Sequence, residues 1–269
     1  MAASGYEGTE LGPWSYLPSD PATLRRELGA RRLALAGAFC PVTLHDRDRR
    51  AASLHTARET IDLLAAAGAP VLVLAEAGDA RRAAIAGRVP SDGSAGFSHG
   101  EWRRFCDGAN EIARYARERG LVTAFHPHVA SYVERPEEIA RLMRDTDPAL
   151  VGLCLDTGHI AYGGGDPAEI ARTHARRVRH VHFKDLRRDV RADVLARHLD
   201  FRDAVSLGVF APLGDGSLDL RGTLGALREV GYGGWLIVEQ DVRLGVSPIA
   251  APLRDAKRSR AYLTEVLAA

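Results

Sequence analysis

The sequence predicts an α/β fold: a (β/α) barrel of parallel strands. Three observations carry that expectation. Short apolar, β-branched runs alternate with longer helix-patterned stretches, which is the signature of βαβ units. The length of 269 residues suits one large core, since a barrel of this kind typically takes roughly 250. No linker interrupts the pattern, so residues 1–269 read as a single domain.

Strands are expected at 8–11, 33–39, 70–75, 121–126, 151–156, 180–184 and 235–239. Helices are expected at 21–28, 51–67, 100–119, 136–145, 167–177 and 220–230, several entered through Asp or Ser with Pro in the first turn. Residues 187–219 break the rhythm, and a segment that long is expected to act as a lid or to be a plain surface insertion. The count gives seven strands, whereas a closed barrel takes eight. Ser4-Gly5-Tyr6-Glu7-Gly8-Thr9-Glu10 echoes Val230-Gly231-Tyr232-Gly233-Gly234-Trp235, where a helix stops at Gly and a strand begins. The chain is therefore expected to start at the tail of a first helix and to lack the first β/α unit.

Lys+Arg number 36 against Asp+Glu 35, for a formal net charge of +1. That balance lacks the basic excess that a phosphate backbone attracts, so no nucleic-acid partner is expected. Cys40, Cys106 and Cys154 form no CxxC pair and read as small core residues in a reducing compartment. With neither a signal-like start nor a membrane-length apolar run, the protein is expected in the cytoplasm, away from membranes. Gly163-Gly164-Gly165 lacks the Lys and Ser/Thr of a phosphate loop and reads as a turn, as does Gly214-Asp215-Gly216.

The chemistry lies at four strand ends: His126-Pro127-His128, Asp156-Thr157-Gly158-His159, His182-Phe183-Lys184-Asp185 and Glu239-Gln240-Asp241. Parallel strands of a barrel converge on one face, so these groups are expected to meet. Imidazole and carboxylate ligands from four strands suit a divalent ion such as Mn, Co, Mg or Zn. Each group alone has a plainer reading, a satisfied polar residue or, for Asp156-Thr157, a helix cap. Their joint placement on four successive strands favours the metal.

The segments Phe125-His126-Pro127-His128, Gly152-Leu153-Cys154-Leu155-Asp156-Thr157-Gly158-His159, His180-Val181-His182-Phe183-Lys184-Asp185, Pro212-Leu213-Gly214-Asp215-Gly216 and Gly231-Tyr232-Gly233-Gly234-Trp235-Leu236-Ile237-Val238-Glu239 resemble the sugar isomerase/epimerase superfamily with its xylose-isomerase-like TIM barrel. Within it the sequence is most similar to inosose dehydratases. The resemblance implies a metal held by groups from strands five to eight, and by position the last three are Asp156, His182 and Glu239. The first is usually Glu in ketose epimerases, and His126 stands there. It binds the metal, hydrogen-bonds substrate, or leaves the position to water. The resemblance also puts Glu134 and Arg188 at substrate-contacting positions, while Trp14, Phe39 and His45 follow early strands where they could line the pocket.

The chemistry so implied is acidification of a C–H beside a ketone, with an enediolate stabilised by the ion. Glu239 and His159 are the candidate bases, and His128 and Lys184 the candidate acids or clamps on the enolate oxygen. With His126 in place of a Glu, the two-acid symmetry of an epimerase is broken, which favours a lyase acting on a keto-cyclitol or keto-sugar. A ketose isomerase or epimerase and a non-catalytic sugar-binding subunit are the rival readings. A missing strand leaves open edges, which barrels avoid, so a homodimer is expected.

Overall fold

Seven parallel strands lie side by side in the computed structural model, which describes residues 1–243 and 250–268. They are β1 (Gly8–Glu10), β2 (Ala34–Val42), β3 (Val71–Glu76), β4 (Val122–Phe125), β5 (Val151–Asp156), β6 (Val178–Phe183) and, after two short strands, β9 (Leu236–Val238). The helices are α1 (Pro21–Ala30), α2 (Arg47–Ala67), α3 (Ala80–Ala84), α4 (His99–Glu118), α5 (Pro136–Asp145), α6 (Thr157–Tyr162), α7 (Pro167–Thr173), α8 (Arg188–Ala196), α9 (Phe201–Ser206), α10 (Leu220–Glu229) and α11 (Ala250–Ala268). Between β6 and β9, β7 (Asp185–Leu186) pairs antiparallel with β8 (Phe210–Ala211), outside the main sheet.

Local chemistry starts the helices where the sequence says it should. Asp20 accepts from the Thr23 amide ahead of Pro21, Asp166 does the same for α7 ahead of Pro167, and Ser98 with Glu101 forms a reciprocal capping box on α4. β3 and β5 are buried along their whole length, as strands covered on both faces must be. Their outer side chains join the large core shared with the helices, while Val71, Val73, Ala124 and Cys154 form a separate small cluster. All three cysteines are free and buried.

The sheet runs β1-β2-β3-β4-β5-β6-β9, a nearly closed barrel that opens between β1 and β9. Trp235 packs close to β1 there: a Cβ on Gly8 would lie 3.0 Å from its ring, a tight contact that the glycine avoids. β9 is half-buried where β3 and β5 are fully buried. The expected seven parallel strands are therefore present in one sheet.

Residues 187–219 differ from the loop expected. They form α8, α9 and β8, which close a satellite core with Ala86, Val129 and Tyr162. Their helical period was hard to read because each helix buries a single residue, Val194 in α8 and Ala204 in α9. α7 also stops at Thr173, short of the expected 177, and the Arg177 guanidinium bonds the carbonyls of Val151 and Met143 instead. Among the described residues no helix is long and apolar enough to cross a membrane.

One buried ion pair ties α3 to α5. Arg82 is wholly buried, and its two terminal nitrogens each lie 2.9 Å from an oxygen of Glu138, with Tyr132 beneath the guanidinium. Removing Arg82 takes the cation from Glu138, which is partly exposed and still accepts the Glu134 and Arg135 amides. Arg82→Met is expected to lower the unfolding free energy by about 1–3 kcal/mol, measured by urea denaturation.

Candidate active site

Strand register brings the polar strand ends to one level. Asp156 stands opposite His182, and His182 opposite Ile237, one position from the end of β9, so Asp156, His182 and Glu239 emerge together at the C-terminal mouth. His126 follows β4, its amide bonded to the Leu74 carbonyl. Ligand atoms of His126, Asp156, His182 and Glu239 all lie within 4.8 Å of one another. His126 Nε2 is 3.3 Å from Asp156 Oδ2, and His182 Nδ1 is 3.8 Å from that oxygen and 3.3 Å from Glu239 Oε1. His182 Nδ1 is buried without a hydrogen-bond partner and faces both carboxylates, which, against the pull of burial, hold the imidazole's acidity well below the ordinary strength.

The Asp-Thr-Gly-His segment is explained residue by residue. Asp156 divides its carboxylate: Oδ1 caps α6 through the His159 amide at 2.7 Å, while Oδ2 faces His126 and His182. The cap and the ligand position are thus one residue doing both. Thr157 Oγ1 donates to the Lys184 carbonyl at 2.7 Å and accepts its amide at 2.8 Å, locking β5 to β6. A Cβ on Gly158 would lie 2.6 Å from Lys184 Cγ, so glycine is what lets the lysine stem pass. His159 Nε2 then sits 2.9 Å from Lys184 Nζ.

Alternation along β6 sends His180, His182 and Lys184 to one face. Lys184 is buried, with Nζ 2.9 Å from Glu239, 3.1 Å from Asp241 and 3.4 Å from Asp156. Burial alone would discharge it, but Asp156, Asp241 and Glu239 outweigh that and hold its proton well above the ordinary range. Glu239 responds in kind: burial favours its neutral form, and His182 and Lys184 overcome this to keep it ionised well below the usual value. His159 and His128 move the other way, although Asp241 lies near both. Burial, with neighbouring cations, keeps His159 well below its usual value, and His128, beside His126 and Lys184, falls to about 4. Both imidazoles are neutral at physiological pH.

The two rings pack at a 36° tilt with centroids 3.9 Å apart, and His128 Nδ1 donates to the Val129 carbonyl at 2.6 Å, which leaves Nε2 as an acceptor. Phe201 and Phe210 from the 187–219 segment pack on His159, and the Lys184 ammonium lies 5.1 Å above the Phe210 ring. Asp185 anchors that segment by accepting the amides of Gly214, Gly216 and Leu218. A cavity of about 1180 Å³ opens beside the centre, lined by His126, His128, His159, Lys184, Glu239 and Asp241 together with Trp14 and Phe39. Phe39 meets His126 edge-on at 5.7 Å.

Two residues expected at the substrate lie elsewhere. Glu134 is buried, and its oxygens accept the amides of Gly87 and Ala130, tying two loops together; its acidity is weakened by that burial. Sequence position put it after the right strand, but the loop turns its side chain inward to backbone N–H groups. Arg188 begins α8 and lines a different cavity beside Pro167 and Asp219. Arg187 bonds the Gly208 carbonyl, and His45 packs on Phe97 and Tyr132 beside Glu76 rather than at the mouth. Conversely, sequence reasoning assigned no part to Glu10 or His180, and placed Asp241 at the fourth strand end without a role of its own, yet all three are in contact with the centre. The inward period of two along β6 was the one available signal for His180.

A parallel barrel with metal-competent ligands at its mouth is the arrangement of a known group, and the comparisons name it. A model described as "Xylose isomerase-like TIM barrel" matches residues 1–266, and the chain belongs to that family. The inosose dehydratase of Geobacillus kaustophilus is 36% identical over 272 residues, covering 99% of this chain and 85% of the relative. Among solved structures, the 3-keto-D-glucoside 4-epimerase from E. coli superposes with a TM-score of 0.70 at 18% identity, covering 98% and 90% of the two chains. The IOLI protein with a bound zinc atom gives 0.66 at 16% identity, covering 92% and 81%.

Gly158 offers a direct check on the packing described. Gly158→Ala forces the Lys184 stem aside, and this overpacking is expected to lower stability by about 1–3 kcal/mol, read from urea unfolding midpoints.

Proposed function

We propose that the chain is a single-domain, cytoplasmic, divalent-metal-dependent lyase that removes water from a keto-cyclitol or keto-sugar, as an inosose dehydratase does. Full-length likeness to relatives of that name carries the reading. The unequal site supports it: imidazoles and carboxylates on one side, and a buried ammonium with two neutral histidines on the other. Elimination needs one base and one acid, whereas epimerisation favours two matched acids.

His126, Asp156, His182 and Glu239 would hold the ion, and the unpartnered Nδ1 of His182 with two carboxylates suits Mn, Co, Mg or Zn. When bound, the ion supplies positive charge for the substrate oxygen that becomes an enolate. Glu239, ionised and the most open of the four at 31% side-chain exposure, takes the proton α to the ketone through Oε2. Lys184 passes a proton to the departing β-hydroxyl, which leaves as water, and His159 keeps the ammonium aimed. His128 Nε2 accepts from a substrate hydroxyl, while Trp14 and Phe39 wall the ring. The Phe201 and Phe210 side chains limit water around the ammonium.

Proton NMR in D₂O with a panel of inososes and ketoses tests the reaction. Loss of a hydroxyl is expected; deuterium incorporation without water loss would establish an epimerase instead. Lys184→Met is expected to lower turnover about 100- to 10,000-fold. Asp156→Asn, which retains an oxygen for the α6 cap, is expected to fold and to lose bound metal by elemental analysis. Ligand binding that persists unchanged in that variant without metal would favour a non-catalytic sugar-binding barrel.

The unpaired edges of β1 and β9 support a homodimer as part of this reading. Light scattering is expected to give twice the chain mass, and a stable monomer would count against it.

A further inference from the structure

We infer that Glu10 is a positioning residue that fixes the tautomer and aim of the His182 imidazole, with His180 holding Glu10 in place. The inference rests on the metal reading of the site and concerns residues to which that reading gives no part.

Glu10 is the last residue of β1, and the β1–β2 register shifts between Thr9 and Glu10. Such an irregularity re-aims the side chain that follows it. Glu10 reaches β6, where its Oε1 lies 3.0 Å from His182 Nε2 and 2.7 Å from His180 Nε2. An ionised carboxylate only accepts, so both imidazoles carry their proton on Nε2. Nδ1 of His182 is then the atom that points between Asp156 Oδ2 and Glu239 Oε1 with no hydrogen-bond partner, and a cation bound there would replace the proton those carboxylates favour on the ring. A ligating imidazole whose other nitrogen donates to a carboxylate is oriented and made more basic by it.

The same three residues could be read as a second cation group, since their ligand atoms cluster. The separations decide against that: 2.7 and 3.0 Å are lengths of N–H···O bonds to one shared oxygen. His180 is buried, and its Nδ1 has no partner either, so its one polar contact is with Glu10. It serves as the second point that stops the Glu10 carboxylate from rotating away. Glu10 thus links the first strand of the sheet to a side chain presented by the sixth.

The test uses the full chain, ¹⁵N-labelled and metal-free, with long-range ¹H–¹⁵N correlation of the histidine rings, followed by Mn²⁺ titration under chelator competition. Expected are a proton on His182 Nε2 in the wild type, shifted by its hydrogen bond to Glu10, loss of that shift in Glu10→Ala, and Mn²⁺ affinity about 10- to 100-fold weaker. Glu10→Gln, whose amide oxygen still accepts one N–H, is expected to recover most of both. If Glu10→Ala does not fold, Glu10→Met keeps the volume without an acceptor and gives the same readout. A wild-type His182 without a proton on Nε2, or an acceptor-free variant with the wild-type Nε2–H signal and affinity, overturns the inference. A wild type that binds no Mn²⁺, Co²⁺ or Zn²⁺ overturns the metal reading instead, while the tautomer spectrum still decides the part of Glu10.

Discussion

The buried ammonium of Lys184 is the constraint on which the rest of the centre depends. A lone cation in so dry a place costs several kcal/mol, and only close, well-directed carboxylates offset it. Asp156, Glu239 and Asp241 supply them from the ends of β5 and β9, each within 3.4 Å of Nζ. The charge is balanced only when β5, β6 and β9 hold their register, so correct sheet formation and a competent site are one event. A one-residue slip of β6 would turn His180, His182 and Lys184 outward together.

The surroundings follow from that demand. Gly158 makes room for the lysine stem, and Thr157 clasps the Lys184 backbone from both sides. The segment between β6 and α10 covers the ammonium with Phe210, and Asp185, next in sequence to the lysine, gathers the amides of the returning turn. The short motif is therefore a packing solution as much as a chemical one. Its residues are few in type because each has a separate geometric task.

The centre is also unequal across its width. One side gathers His126, Asp156, His182 and Glu239 with the His182 Nδ1 left without a hydrogen-bond partner; the other pairs an ammonium with two neutral imidazoles packed at a tilt. Charge separation of this sort lets one side stabilise a developing oxyanion while the other handles protons. Glu239 touches both sides, through Oε1 to His182 and Oε2 to Lys184. It is the most exposed of the four ligand candidates because β9 borders the seam of the barrel.

The sequence by itself determined the alternation of strand and helix, the seven parallel strands and the convergence of Asp156, His182 and Glu239, because periodicity and capping are local and strand ends of a parallel sheet share a face. It did not determine where Glu134 and Arg188 point, since a loop a few residues past a strand can turn either way. It was equally silent on Glu10, which is 172 residues from His182 in sequence and meets it only across the folded sheet. The helices of 187–219 were hidden because each buries one side chain, too few to make a period. What tertiary structure alone decided was which polar groups face each other, and that depends on register and loop path, which no local pattern encodes.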